Sequence, residues 1–475
     1  LGLQRQTVIG VAWNFLEQLL RRGLSSGVTL ALAYFLSPAD YGLVALTAVF
    51  LTLASKLMDS GFRDAVIRLE EATDTDLNTA FIANVVLGAL AYAILYLAAP
   101  WIGYYYEMPQ LPSVIRALGL VVPIHALQSI HTAKLTRDLA FHLILRATFP
   151  SAVISGAVAI VAAAAGLGVW TLVLQRLVAT IVTTALVWRL SGYRPRWTFD
   201  PTTFRSMFSY GYRIFLAESI SVAFAEMYVL VIGATFAAAA AGHYFVASRI
   251  RKLFLNQLVT GIQQATFPAL ARVQGNEKSL KSGYQRVLIL TTAVVTPTMG
   301  AIALSAEPVL VFTFGDEWSP AATLLSILCV GGVVFPLNVI NMNLLRVLGR
   351  SDLILRIEVF KRILAALLLL ALLPYGLAAV AVSQIATQII CYLPNSYYSS
   401  RLIGYTSLEQ VKDFAPSLAL AAVALALGLT PPATLAWTAI PVVSGVFGAA
   451  ILYIVLSVVL KTPAYCIAME VVRER

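Results

Sequence analysis

The sequence predicts an all-α polytopic membrane protein of about 14 transmembrane helices, built as two pseudo-symmetric six-helix lobes with two further helices at the C-terminal end. Three observations predict it. Only 12% of the 475 residues are Asp, Glu, Lys or Arg, against about 25% in an ordinary soluble domain. The mean hydropathy is +0.83, too high over such a length for one anchor, because a span needs only roughly 20 apolar residues. The cations of the loops are also confined to alternate loops, which is the mark of repeated membrane crossing.

Apolar runs bounded by Gly, Pro or charge place the spans near 7–35, 41–59, 77–99, 114–134, 141–164, 169–189, 204–234, 240–268, 283–305, 320–346, 353–373, 376–400, 412–428 and 437–460. The first run has no small-residue cleavage site and carries Arg21 and Arg22, so it reads as a retained span and not a secretory signal. With the N-terminus inside, the loops near 36–40, 100–113, 165–168, 235–239, 306–319, 374–375 and 429–436 face outward, and they contain no Lys or Arg. The opposite connections hold Arg63, Arg68, Lys134, Arg137, Arg189, Arg194, Arg196, Arg272, Lys278, Lys281, Arg350, Arg401, Lys461, Arg473 and Arg475. The net charge of +10 is therefore an orientation signal, not a nucleic-acid footprint, and it puts both termini in the cytoplasm. Outer loops this short weigh against an enzyme working on the outer face, such as a membrane-embedded polymerase or ligase.

The charged connection from Arg189 to Arg205 divides the chain after six spans, giving an N-lobe of 1–200, a C-lobe of 201–403 and a remainder of 404–475. The halves are alike in sequence. Thr29 to Gly42 matches Val231 to Tyr244 at an offset of 202, and Tyr105 to Leu118 matches Phe314 to Leu328. Duplicated halves of this kind are used by secondary transporters, whose substrate lies between the lobes and whose lobes rock to give alternating access.

An ionisable side chain at mid-membrane costs roughly 2.5 to 3.5 kcal/mol on insertion scales, so those retained face protein or an aqueous cavity. In the first span Asn14, Glu17 and Arg21 share a face, as a structural pair or as cavity lining, and Arg22 lies one step round. In the eighth span Arg249, Lys252, Asn256 and Gln263 form one polar stripe, with Arg251 directed elsewhere. Arg146 and Arg213 sit in the inner third, where snorkelling to the headgroups competes with cavity lining. Arg176 lies deeper. Lys56 with Asp59, and Arg356, Glu358, Lys361 and Arg362, read as charges near the inner ends of their spans.

Acids in the spans are few, namely Glu17, Glu218, Glu226 and Glu358, so the expected cavity is electropositive. Guanidinium groups suit phosphate, which makes Arg21, Arg22, Arg146, Arg176, Arg213, Arg249 and Lys252 the candidate substrate-binding set. That sign argues against export of cationic drugs. Glu17, Glu218 and Glu226 are the candidates for coupling to H⁺ or Na⁺, with salt bridges from Glu218 or Glu226 to Arg213 or Arg249 as the alternative. No metal site is indicated, since His125 and His131 are six apart and Cys329, Cys391 and Cys466 have no paired spacing. No GxxxxGK[ST] loop occurs, and no cofactor is implied.

Several segments together resemble a known family. They are Gly10-Val11-Ala12-Trp13, Leu36-Ser37-Pro38-Ala39-Asp40-Tyr41-Gly42, Asp59-Ser60-Gly61-Phe62, Ala65-Val66-Ile67, Arg137-Asp138-Leu139-Ala140-Phe141, Phe267-Pro268-Ala269-Leu270, Val273-Gln274, Phe314-Gly315-Asp316-Glu317-Trp318 and Leu348-Gly349-Arg350-Ser351-Asp352. In order and spacing they resemble the Wzx-type lipopolysaccharide and exopolysaccharide flippases of the multidrug/oligosaccharidyl-lipid/polysaccharide exporter superfamily, of the colanic-acid type. The resemblance implies a V-shaped two-lobed core of twelve helices around a central cavity. It also implies an undecaprenyl-diphosphate-linked oligosaccharide moved from the cytoplasmic to the periplasmic leaflet of the bacterial inner membrane, in company with membrane lipids and other polysaccharide-assembly proteins. Related lipid II flippases line their lumen with arginines and use two extra helices as a groove for the lipid tail, a role that would fall to spans 13 and 14. A drug or metabolite antiporter of the same superfamily is the alternative reading.

Overall fold

Helices account for nearly all of the chain. The computed structural model describes residues 27–28, 30–69, 73–273, 275–428 and 439–473. Glu17, Arg21 and Arg22 therefore lie outside the described residues, as does most of the first expected span.

Two compact units, Leu1–Phe245 and Val246–Arg475, are distinguished. The first contains α1 (Pro38–Asp59), α2 (Phe62–Arg68), α3 (Asp74–Tyr105), α4 (Leu111–Gly119), α5 (Val121–Arg137), α6 (Phe141–Ala164), α7 (Val169–Leu190), α8 (Pro201–Ala225), α9 (Met227–Thr235) and the start of α10 (Ala238–Arg272). The second contains the rest of α10, α11 (Glu277–Phe314), α12 (Ser319–Val347), α13 (Ser351–Leu372), α14 (Leu377–Ile403), α15 (Ser407–Gly428), α16 (Ala439–Val459) and α17 (Pro463–Arg473). Among the described residues eight helical segments are long and apolar enough to cross a membrane, taking α4 with α5 as one, or nine with the bent pair formed by α8 and α9.

The starts of these helices are written in short polar motifs. Ser37 caps α1 in a reciprocal box: its hydroxyl accepts from the Asp40 N–H at 3.3 Å, and the Asp40 carboxylate accepts from the Ser37 N–H at 3.0 Å. Pro38, in the first turn, needs no N–H there. Thr73 and Asp76 repeat the device at α3. At α8 the Asp200 carboxylate accepts from the hydroxyls and N–H groups of Thr202 and Thr203, which hold it well below the usual carboxylate range.

Three features differ from the expected spans. The seventh, read as one helix over 204–234, is broken at Glu226, where α8 and α9 meet at 45°. A further helix, α17, continues beyond the last span as an eleven-residue element with apolar and polar faces. The boundary between the units falls at 245/246, so α8 and α9, counted with the C-lobe in sequence, pack with the first half. Large exposed aromatics gather at helix ends, with Trp101, Tyr104, Tyr105 and Trp170 at one end of the first unit and Trp197 in the connection at the other. Such rings suit the two membrane–water interfaces.

In the second unit α15 docks on α11 through charge as well as core packing. Lys281 Nζ donates to Glu409 at 3.1 Å and to the Gly404 carbonyl at 2.6 Å. The Tyr405 hydroxyl donates to Asp413 at 2.6 Å. The Thr406 N–H, and then Lys281, hold the Glu409 carboxyl below its usual range. Beneath these lies a buried amide network in which Asn341 links Gln410 and Ser399, and Asn395 donates to Asn338. Polar bonds of this kind fix one arrangement of helices in a medium where hydrophobicity alone does not choose between neighbours.

Candidate functional site

The most closely built region of the first unit is α1, which is gripped at its two ends by α10 and α8. At its N-terminal end a Cβ on Gly42 would lie 1.8 Å from the Ala238 carbonyl oxygen, and one on Gly242 would lie 1.8 Å from that of Pro38. The backbones of α1 and α10 therefore touch, and only glycine fits at either position. The contact is reciprocal: Gly42 with Gly242, and Pro38 with Ala238, are pairs of positions 200 apart in the chain. A contact made by i to j and again by j to i is the signature of a two-fold relation. This spacing of 200 differs by two residues from the 202 offset between the sequence segments that are alike.

The C-terminal end of α1 is gripped by α8. Ser60 and Gly61 both turn left-handed, at φ 37° and 77°, and a Cβ on Gly211 would stand 1.9 Å from the Ser60 carbonyl oxygen. Phe62 is fully buried and stacks on Phe204 at 5.6 Å. One turn before the end of α1, Lys56 Nζ meets Glu218 Oε2 at 2.5 Å, with both side chains partly exposed. Lys56, expected to pair with Asp59, makes its ion pair with Glu218 and still acts electrostatically on Asp59, and the side chain of Arg213, one alternative partner for Glu218, lies outside the described residues. The physical reason is that α8 runs past the end of α1 at glycine distance and brings Glu218 to Lys56. Asp59 instead accepts from the backbone N–H of Arg63.

The candidate cations fall in different surroundings. Arg176 is exposed on α7, and it and Arg63 on α2 both act electrostatically on the half-buried His125 ring of α5. In sequence Arg63 stands only as an orientation charge and His125 as a histidine without a metal partner, and no neighbour of either points to Arg176. Arg146 is exposed in the second turn of α6. The side chain of Arg213 lies outside the described residues, as do those of Asn256 and Gln263 in the polar stripe. In the second unit Arg249 is half-buried and Lys252 exposed on α10, while Arg251 acts on the buried Cys329 of α12. Lys361 and Arg362 each lie 3.8 Å from Glu358 on their own helix. Glu226 occupies the break between α8 and α9. Among the described residues no three His, Cys, Asp or Glu side chains form a group that could hold a metal ion.

The Lys56–Glu218 pair has a testable consequence. Reversing either charge (K56E or E218K) places like charges across the seam and should lower transport several-fold. The exchanged double variant should recover it to within about twofold, because a partly exposed pair contributes only about 1 kcal/mol or less to stability. If E218Q alone abolishes the dependence on an ion gradient and the exchange fails to rescue, Glu218 carries the ion instead.

A bundle of long apolar helices with charges gathered at their ends defines a multi-pass helical membrane protein. The sequence profile described as "Polysaccharide biosynthesis protein" matches residues 31–323, and the chain belongs to that family. It is 25% identical to the lipopolysaccharide biosynthesis protein WzxC of Escherichia coli (strain K12) over 77% of this chain and 74% of that one. It is 20% identical to the succinoglycan biosynthesis transport protein ExoT of Rhizobium meliloti (strain 1021) over 69% of this chain and 66% of that one. In fold it is similar to the lipid II flippase MurJ in an inward closed conformation, with a TM-score of 0.71, 13% identity and coverage of 96% of this chain and 100% of MurJ. A multidrug resistance MATE family transporter of the MOP superfamily in an inward-facing conformation gives 0.64 and 16%, over 81% of this chain and 95% of that one. The resemblance to Wzx-type flippases is thereby established, and the chain is a multi-pass protein of the bacterial inner membrane with transporter relatives.

Proposed function

We propose that the protein flips an undecaprenyl-diphosphate-linked oligosaccharide from the cytoplasmic to the periplasmic leaflet for polysaccharide assembly, without covalent chemistry. The observation that carries this reading is the double grip on α1. Alternating access moves packed elements against one another, and α1 meets α10 at one end and α8 at the other through close glycine backbone contacts, joined at the α8 end by the partly exposed Lys56–Glu218 pair. The names of WzxC and ExoT support a polysaccharide unit as the load. The arginine-rich composition of the spans supports a diphosphate on it.

In this reading residues 1–200 and 201–403 are the two six-helix lobes of a V-shaped transporter, helices 13 and 14 within 404–475 accommodate the lipid tail, and both termini are cytoplasmic. Arg21, Arg22, Arg146, Arg176, Arg213, Arg249 and Lys252 meet the anionic substrate, and H⁺ or Na⁺ entering at Glu17, Glu218 or Glu226 drives the cycle. The drug antiporter alternative is disfavoured by the sign of these charges, and the polymerase or ligase alternative by the short outer loops.

The test is appearance of lipid-linked oligosaccharide on the outer leaflet of cells lacking their own flippase and supplied with this one. Wild-type protein should restore it. Arg176→Ala should lower it on the order of tenfold at equal membrane abundance, since a charge-assisted contact contributes about 1.5 to 3 kcal/mol, and Arg176→Lys should retain only part of the activity. Efflux of cationic dyes without movement of the lipid would favour the antiporter reading.

A further inference from the structure

α11 begins three turns before its apolar stretch, and those turns, Glu277 to Arg286, present three faces. Leu280 and Tyr284 are buried in the core beside Leu344 and Tyr405. Lys281 and Gln285 face α15, where Glu409 and Asp413 receive them at 3.1 and 3.4 Å. The third face, made of Lys278, Ser279, Ser282, Gly283 and Arg286, lines an open concavity of about 420 Å³.

This lining is chemically one-sided. It holds two cations, two hydroxyls and, at Gly283, bare backbone, and no acid contributes to it. Positions 278, 282 and 286 repeat every four residues, so their side chains stand in a row along one helix face. The side chains of Lys278, Ser279 and Ser282 have no hydrogen-bond or ion partner among the described residues. The Ser279 N–H is already taken by Asn276 Oδ1 at 3.1 Å, so the site consists of side chains and not of free amides at a helix end. One acid reaches it from outside: Glu470 of α17 lies 3.2 Å from Arg286, with both side chains about half exposed.

We propose that this concavity binds a phosphate group at the membrane surface, and that Arg286 exchanges Glu470 for it. A phosphate oxygen is a stronger, multivalent acceptor than one carboxylate, and a guanidinium, an ammonium and two hydroxyls on one face are complementary to it. The half-exposed Arg286–Glu470 pair is weak enough to be displaced. That pair is one of several contacts between α17 and α11, so occupation of the concavity removes the ionic part of their packing at this point. The inference concerns a second site on α11 and does not depend on which substrate is transported.

A phosphate could come from a lipid headgroup or from solution, and two measurements on the purified full chain separate them. Calorimetry in detergent reports binding of inorganic pyrophosphate. Native mass spectrometry of protein released from nanodiscs of phosphatidylcholine with phosphatidylglycerol reports retained anionic lipid. The double variant K278A/R286A should weaken one or both about tenfold or more. E470Q, which removes the internal competitor, should strengthen the same binding several-fold, a gain that a misfolded protein cannot produce. Loss confined to the lipid arm assigns a headgroup, and loss confined to pyrophosphate assigns a soluble phosphate. If the double variant changes neither arm, or if E470Q weakens binding, the proposal is overturned.

Discussion

Replacing Gly42 or Gly242 by alanine should abolish most transport while leaving the protein in the membrane. The added Cβ would lie 1.8 Å from a carbonyl oxygen in each case, and that oxygen belongs to helical backbone, which cannot swing aside as a side chain can. Overpacking costs typically about 1 to 3 kcal/mol. If the seam closes in only one stage of the cycle, that cost falls on one state and shifts its population roughly tenfold to a hundredfold. Cysteines at positions 41 and 245, whose native rings face each other across this seam at 6.5 Å, should cross-link readily in the parent and poorly in the alanine variants, with export falling in parallel. Gly211→Ala should act in the same way at the other end of α1, where the clash is with Ser60. Gly27→Ala, which meets nothing within 4 Å, is the control. Unchanged cross-linking with unchanged export would show that the seams are not part of the moving machinery, and equal loss of the protein itself would assign them to the scaffold.

Asn78→Ala should lower stability by about 2 to 4 kcal/mol, on the scale of roughly 1 to 3 kcal/mol for each buried polar group left without a partner. Asn78 is buried, and its amide does three things at once. It accepts from the Tyr193 hydroxyl at 2.6 Å and from the Arg196 N–H at 3.0 Å, and it donates to Thr198 at 2.8 Å. Two residues past Thr198 the Asp200 N–H donates to Thr79 at 3.1 Å. The long connection between the halves is thereby pinned to α3 just before α8 starts, and burial of Tyr193 raises its phenol above the usual range. Thermal unfolding of the purified protein, followed by intrinsic fluorescence, would measure the loss. Transport should fall more than stability alone requires, since an unpinned α8 would misplace Gly211 and Glu218 together. A change below about 0.5 kcal/mol would mean that the connection is held elsewhere.

Much of the fold was legible because its cause is local. The expected span at 41–59 is α1, that at 141–164 is α6 and that at 169–189 is α7. The segment Leu36 to Gly42 was recognisable as a turn into a helix, and Ser37, Pro38 and Asp40 perform that task in the structure. The break at Glu226 was not legible, because 204–234 contains no Pro to mark it and hydropathy does not register a bend. Nor was α17, which is too short and too mixed in polarity to stand out from a tail.

The candidate site was legible only as a list of charges. Composition identifies which spans carry Arg, Lys and Glu, because each such residue stands out against an apolar background. It does not identify partners, which are set by helices meeting across more than a hundred residues of chain. Lys56 is 162 residues from Glu218, and no periodicity within α1 or α8 points from one to the other. Arg63 and Arg176 act on His125 from two other helices, and the glycines at 42, 61, 211 and 242 acquire meaning only when a second backbone is seen to touch them. By itself the sequence determined that this chain is a polytopic helical membrane protein, of which family, and where its charges lie, since these follow from transfer energies and short motifs. Only the tertiary structure decided which charges pair and where α1 is gripped, because contact distances depend on helix register, which local chemistry does not encode.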